Sequence, residues 1–371
     1  MLPSVPLHGK CAIGGNVSTR SVGSRTLKYG LMDAQVTGIR GILADGGVLD
    51  TIRGKIPTGI REKLKKVKEK LQKDKEVVAY VMRRPPSAGG YNLRGFLMEK
   101  NFMKSIAKLV CGSTGTLLVL TEVGLALPKE KPLKDLYLVH FGDYDSLQCA
   151  MNKVIKDFRP ASIEYVGKMA LEEWEKQYHF PYSIGAVIFG FEHVQSLRAI
   201  EKMALEIRYI PEKQRAHLWK SRELVLPKLW TKAARMHKDI PSGIDDACIP
   251  PRAFARVMGE VDAYAAKKNI PLASFGHIGI GSLHLRAFLD MKKHPAQLEK
   301  MGMDVFRILR KYGGTLVGEH DAGRCRSKYL KLENQRMYAY LHQIKKIFDP
   351  KDTLNPHIVF DLRPITQYIK V

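Results

Sequence analysis

The chain has 371 residues, 45% of them hydrophobic, and its 61 Lys and Arg against 37 Asp and Glu give a formal net charge of +24 at pH 7. That length suits one large domain or two ordinary ones, and the apolar content argues against a disordered chain. The charge favours anionic partners. Nucleic acid is not expected among them, because the sequence has neither an aromatic RNP-like strand nor paired CxxC fingers.

The five cysteines, Cys11, Cys111, Cys149, Cys248 and Cys325, are scattered and odd in number, which argues against a disulfide framework and against an iron–sulfur cluster held by this chain alone. The longest apolar runs, such as SIGAVIFGF, are too short to span a bilayer, and MLPSVPLHGK lacks the apolar core of a secretory leader. The expectation is a cytoplasmic protein, with peripheral attachment to the inner face of a membrane as a secondary option.

In chain order, Ile13 to Gly30 reads as a loop, because glycine and serine dominate and no apolar period runs through it. VTGIRGILADGGVLDT reads as a β-hairpin turning at Asp45-Gly46-Gly47. Residues 60–76 form an amphipathic surface helix with Ile60, Leu64, Val67 and Leu71 on one stripe among lysines. GGYNLRGF reads as a loop, and LVCGSTGTLLVLTEVGLAL as a second glycine-rich turn followed by a buried strand.

The polar segment Lys129-Glu-Lys-Pro132 is the expected boundary, giving domains over 1–132 and 133–345 and a returning segment over 346–371. Beyond it DLYLVHFG, SIEYVGKMAL, GAVIFGFE and GTLVGEH read as strands. SLQCAMNKVIKDF, SLRAIEKMALEI, PRAFARVMGEVDAYAAKKN, Leu298–Tyr312 and a last segment ending at Asp349-Pro350 read as helices, and residues 211–247 as irregular. The fold class is α+β, with helices on one face of an antiparallel sheet.

Four features carry candidate chemistry. GHIGIGSLH brings His277 and His284 to a glycine hairpin, where two imidazoles and a carboxylate hold a divalent ion, or where two histidines simply hydrogen-bond beside a turn. GEHDAGRCRS offers Glu319 as a third ligand, His320 as a general base, and Arg324 and Arg326 for a substrate carboxylate. If Glu319 and His320 lay in regular strand they would point to opposite faces, so the strand must break there. GGNVSTRSVGSRTLKYG and CGSTGTL offer backbone N–H groups to a phosphate or flat cofactor, or are ordinary turns. In LWKSRELVLPKLW, Arg222 is a buried carboxylate anchor or an arginine that snorkels or pairs with Glu223.

In this order, and together with ILADGGVLD, GGYNL, DDACIPP and IFDPKDTLNP, these motifs resemble the FAD-linked oxidases of the vanillyl-alcohol oxidase type, in the branch of glycolate oxidase, D-lactate dehydrogenase and D-2-hydroxyglutarate dehydrogenase. The resemblance covers about residues 13–358 and is weak over 150–215. It implies a two-subdomain FAD-binding domain followed by a substrate domain with a ferredoxin-like antiparallel sheet. It implies FAD as cofactor, contacted by Gly14, Gly15, Asn16, Ser24, Gly112, Gly115, Thr116 and Asn355. It further implies a divalent metal (Zn, Mn or Fe) on His277, His284 and Glu319, with His320 as base and Arg222, Arg286 and Arg324 around a small 2-hydroxy acid. The electron acceptor it implies is a separate iron–sulfur subunit.

The sequence departs from that pattern in places. Ile280 and Ser282 stand where acidic and amide residues are usual, Asp321 where glycine is usual, and no lysine flanks Ile244. The family's first flavin subdomain, with its PGxGTS-like loop, has no counterpart here, so the expectation includes a second polypeptide supplying it. The alternative is a non-catalytic subunit or truncated remnant of such a flavoprotein.

Overall fold

The computed structural model describes residues 2–3, 11–174 and 176–368, so most of the stretch inspected for a leader lies outside the described residues. The chain divides into two compact units. The first comprises Met1–Val22, Gly30–Pro128 and Val317–Arg363, the second Gly23–Tyr29, Lys129–Leu316 and Pro364–Val371.

The first unit holds a three-stranded antiparallel sheet of order β2-β1-β3, with β1 at Val36–Ile42, β2 at Val48–Asp50 and β3 at Val119–Leu125. The β1–β2 hairpin forms as read: Gly46 takes φ +85° and the Asp45 side chain accepts from Gly47 N at 2.9 Å. β3 is not the buried strand expected, since none of its residues is fully buried. The core comes instead from helices. Helix Phe102–Val110 buries Ile106, Ala107, Leu109 and Val110.

Helix Thr58–Lys73 buries Leu64, Val67 and Leu71, each worth about 1.5–3 kcal/mol relative to exposure. Its apolar stripe is therefore committed to the protein interior. The helix ends where Asp74 caps the next one, Lys75–Arg83, by accepting from Val77 N.

Residues 13–30 are not simply a loop. Helix Ile13–Ser18 forms there with no side-chain cap, and Thr26–Tyr29 is a second short helical turn. Tertiary pairing overrides the weak propensity of Gly14 and Gly15. Gly112 N donates to Val17 O at 3.0 Å, Thr114 N donates to Ser18 O at 2.8 Å, and Val17 is fully buried.

The second unit is built on a seven-stranded antiparallel sheet of order β7-β4-β6-β5-β9-β10-β8. The strands are β4 Asp135–Phe141, β5 Ser162–Gly167, β6 Gly185–Phe191, β7 Glu206–Tyr209, β8 Ala247–Cys248, β9 Leu272–Gly276 and β10 Ser282–Ala287. β5, β6 and β10 are buried at every position, so helices must cover both faces rather than the one expected. On one face Leu136, Leu138, Val166, Ile188 and Phe275 pack with Leu218, Val225 and Leu229 from helices Glu212–Glu223 and Val225–Arg235. On the other, Tyr165 meets Phe254 of helix Phe254–Lys267 edge-on, with ring centroids 4.9 Å apart.

Three further readings are corrected. Residues 211–247 contain those two helices and are not irregular. The segment SLRAIEKMALEI is a 3-10 turn, Arg198–Met203, followed by β7, because pairing of residues 206–209 with β4 outweighs their helical spacing. GTLVGEH makes only one bridge, Thr315 to Cys248, and then turns.

Candidate active site

The site in the second unit starts from the β9–β10 hairpin. Gly281, at φ +79°, closes the turn, and a Cβ there would lie 1.8 Å from Ile249 O, so only glycine fits. The register pairs His284 with Phe275, two residues before His277. Both histidines thus emerge on the sheet face covered by Glu212–Glu223, their ring centroids 6.3 Å apart and their planes at 79°.

Each histidine is held at Nδ1. His277 Nδ1 lies 2.5 Å from the Glu164 carboxylate, and His284 Nδ1 donates to the backbone carbonyl of Asp245 at 3.2 Å. Both acidic residues are then paired with a buried arginine: Arg222 Nη2 to Glu164 at 3.1 Å, and Arg286 Nη1 to the Asp245 carboxylate at 3.2 Å. Glu164 is fully buried, and the Arg222 guanidinium also lies over the Phe275 ring, 5.1 Å from its centroid.

Glu164 and Asp245 were not singled out from the sequence. The available signal was a lone acid at the centre of the apolar strand SIEYVG, where an unpaired charge would be costly. Of the alternatives left open for Arg222, the structure shows it buried and paired, with Glu164 rather than Glu223 as its partner.

A divalent metal fits this donor set. Metal-bound imidazoles characteristically have the other ring nitrogen held by a carboxylate or backbone carbonyl, and both rings are so held at Nδ1, so Nε2 is the nitrogen that would ligate.

Glu319, His320 and Arg324 belong to the first unit. Residues 319–320 sit in a turn rather than a strand, which meets the requirement that the strand break. His320 Nε2 lies 3.7 Å from Glu319 Oε1, with the His320 side chain 44% exposed. Asp321, at φ +64°, fixes the turn: its carboxylate accepts from Gly90 N and Ala322 N, each at 2.6 Å, while Arg326 Nε and Nη2 donate to its backbone oxygen. Burial pushes the Asp321 carboxyl pKa up, partly offset by those N–H groups. Glu319 and Asp321 line a cavity of ≈ 10 Å³ with Gly89, Gly90, Gly112 and Arg20. Arg324 is exposed, and Arg326 is buried as the brace of this turn.

Seven of the eight residues implied for FAD share the first unit; Ser24 lies in the second. The loop Cys111–Thr116 runs through positive φ at Gly112, Thr114 and Gly115. It is clamped by Asn355 Nδ2 to Thr114 O at 2.7 Å, Lys345 Nζ to Thr116 O at 2.9 Å, and Tyr91 Oη against Thr116 Oγ1 at 2.7 Å. Among the described residues Thr114 Oγ1 is buried with no hydrogen-bond partner, and nothing stands within 4 Å of a Cβ placed on Gly14 or Gly15. An orphaned hydroxyl and open glycine surfaces fit a cofactor laid against this loop.

The class of protein so defined is an α+β chain with two glycine-rich loops and a histidine pair held at Nδ1, one ring by a carboxylate and the other by a backbone carbonyl. Residues 131–359 match the family described as FAD linked oxidases, C-terminal domain, and the chain belongs to that family. It is 25% identical to D-2-hydroxyglutarate dehydrogenase of Escherichia coli (strain K12), the match covering 95% of this chain and 39% of that protein. It is 28% identical to glycolate oxidase subunit GlcD of Bacillus subtilis (strain 168), over 94% of this chain and 68% of that one. It is 23% identical to D-lactate dehydrogenase of Archaeoglobus fulgidus, covering 95% and 71%. Among solved structures, alkyldihydroxyacetonephosphate synthase shares the fold, with a TM-score of 0.54 and 16% identity over 96% of this chain and 59% of that chain. The chain thus spans about two fifths of the D-2-hydroxyglutarate dehydrogenase and three fifths of the synthase.

Proposed function

We propose that this chain takes part in FAD-dependent oxidation of a small 2-hydroxy acid, with His277, His284 and Glu319 holding a divalent metal. The observation that carries the reading is the matched support of the two histidines at Nδ1. The names of the relatives, which act on 2-hydroxyglutarate, glycolate and lactate, give the substrate class. Glu319 is the proposed third ligand because the GEHD motif that carries it stands where the resemblance to FAD-linked oxidases implies the carboxylate ligand.

When bound, the metal supplies Lewis acidity toward the 2-hydroxyl, and FAD accepts a hydride. The chain's own residues do the rest. Nε2 of His277 and of His284 holds the ion. Arg222 Nε, buried and without a hydrogen-bond partner among the described residues, is the donor for the substrate carboxylate, while Nη2 stays on Glu164. His320 accepts the hydroxyl proton at a ring nitrogen. The acid loses that proton and its C2 hydride and leaves as the 2-oxo acid. A separate iron–sulfur protein is the proposed electron acceptor, since the five cysteines stand far apart in the sequence with no CxxC spacing, and Cys111 and Cys248 are buried in different units.

The test is steady-state dye reduction by the FAD-loaded chain with D-lactate, glycolate and D-2-hydroxyglutarate. Turnover with at least one of them is expected. Flavin binding without turnover on any of the three contradicts the reading. No helix among the described residues is long and apolar enough to cross a membrane.

A further inference from the structure

We infer that Glu164 is the positioning residue of this centre, one carboxylate that sets both the metal-holding histidine and the acid-holding arginine. This rests on the metal reading above and goes beyond it, because Arg222 then acts on the metal as well as on the substrate.

The geometry leaves Glu164 two jobs. One oxygen, Oε1, faces His277 Nδ1 at 2.5 Å; the other, Oε2, takes Arg222 Nη2 at 3.1 Å. The side chain is fully buried in the centre of β5, out of reach of bulk solvent. Burying a carboxylate in an apolar sheet is tolerated only when it is paired and hydrogen-bonded. Arg222 supplies the charge, and His277 supplies the second hydrogen bond. Accepting from Nδ1–H places the His277 lone pair on Nε2 and fixes the ring plane.

The same plan recurs on the other ligand. Arg286 pairs with the Asp245 carboxylate, and His284 Nδ1 donates to the Asp245 backbone carbonyl. The two arms differ in one respect that makes Glu164 testable. In the His284 arm the acceptor is main chain and no substitution removes it. In the His277 arm the acceptor is a side chain, so replacing Glu164 releases one ligand alone. Because the guanidinium that meets the substrate carboxylate is seated on Glu164, metal affinity and acid affinity depend on a shared group and are coupled.

Co²⁺ alone is the probe. Its visible absorbance reports both affinity and ligand geometry. The unaltered chain, E164Q, E164D and the double variant E164Q/R222M are titrated, with thermal melts recorded alongside. E164Q keeps the shape of the side chain but removes the charge. It is expected to bind Co²⁺ about 10–100-fold more weakly with an altered spectrum. E164D is expected to recover part of the loss. E164Q/R222M carries no unpaired buried charge, so it separates loss of the ligand brace from loss of folding and is expected to match E164Q in Co²⁺ affinity. Binding by the unaltered chain and by E164Q with equal affinity and spectrum overturns the inference. No Co²⁺ binding by the unaltered chain overturns the metal reading beneath it, a different result in a different sample.

Discussion

The two units present candidate site residues by different means. In the second unit the histidines stand on adjacent strands of a seven-stranded sheet, fixed by register and by buried arginine–carboxylate pairs. In the first unit the glycine loops owe their shape to positive-φ turns and to clamps reaching from far along the chain, such as Lys345 to Thr116 and Asn355 to Thr114. A sheet makes ligand positions cheap to hold and hard to move. A clamped loop keeps its backbone N–H groups and small side chains facing outward, which a flat cofactor requires, but its shape depends on a few distant contacts.

The largest expected effect is in the sheet-borne half. H284A should abolish metal binding and turnover, a loss beyond the ~100-fold that removing an outer partner causes, with the melting temperature little changed. Metal content and dye reduction, read on the same preparation, check it. A fall in stability without loss of metal would break the comparison.

The clamp comes next. Lys345 Nζ donates to Thr116 O, Leu354 O and Asp349, and both Lys345 and Asp349 are buried. K345M leaves Asp349 buried without its cation, at about 3–5 kcal/mol. Thermal unfolding should show that loss together with loss of FAD binding. Co²⁺ binding at the histidines should persist at temperatures where the protein remains folded.

Acid should separate the two units. His140 in β4 is fully buried, and burial holds its imidazole down at about 4, with Glu206 opposing only in part. Unfolded, it titrates near 6.5. The folded state therefore binds fewer protons between those values, and stability is lost as pH falls from about 6.5 to 4, by roughly 1–3 kcal/mol. Asp349 behaves oppositely in range. Burial would raise its carboxyl, but Lys345 and the N–H groups of Thr353 and Leu354 bring it down to about 2. Its contribution is complete above about 4 and fades only as pH falls toward 2. Hydrogen exchange at pH 7, 5 and 4 should show protection in β4 and β6 falling before protection in helix Gln335–Phe348, and H140F should remove that early loss.

The smallest effects distinguish two kinds of glycine within the first unit. G115A must hold alanine at φ +72°, at about 1–2 kcal/mol, although only Asn355 Nδ2, 3.9 Å away, is near its Cβ. G15A sits in a helix with nothing among the described residues within 4 Å, so it should be neutral or stabilising by about 0.5–1 kcal/mol. A weaker FAD affinity in G15A, with unchanged melting, would assign that surface to the cofactor.

What could be read from the sequence follows the same division. The Asp45-Gly46-Gly47 hairpin and helix 58–73 were legible because turn chemistry and a 3.6-residue stripe are local. So were β4, β6, β9 and β10, and with them the placing of His277 beside His284. Helix Glu212–Glu223 was missed because EKQRAHLWKSRE has no clear apolar face and gains its helicity by packing Leu218 onto the sheet. The edge strand β7 was missed because its partner lies more than sixty residues earlier. Glu164 was invisible for a deeper reason. A glutamate in a strand means nothing until the register sets it beside β9 and a helix from residue 212 onward brings Arg222 over it.

The most direct test of the central claim is an anaerobic titration of the FAD-loaded chain with a D-2-hydroxy acid, unaltered and as H284A. The account predicts that the flavin absorbance of the unaltered chain bleaches with formation of one equivalent of 2-oxo acid, and that H284A, still yellow, does not bleach. Equal bleaching in both, or none in the flavin-loaded unaltered chain with any of the three acids, would contradict it.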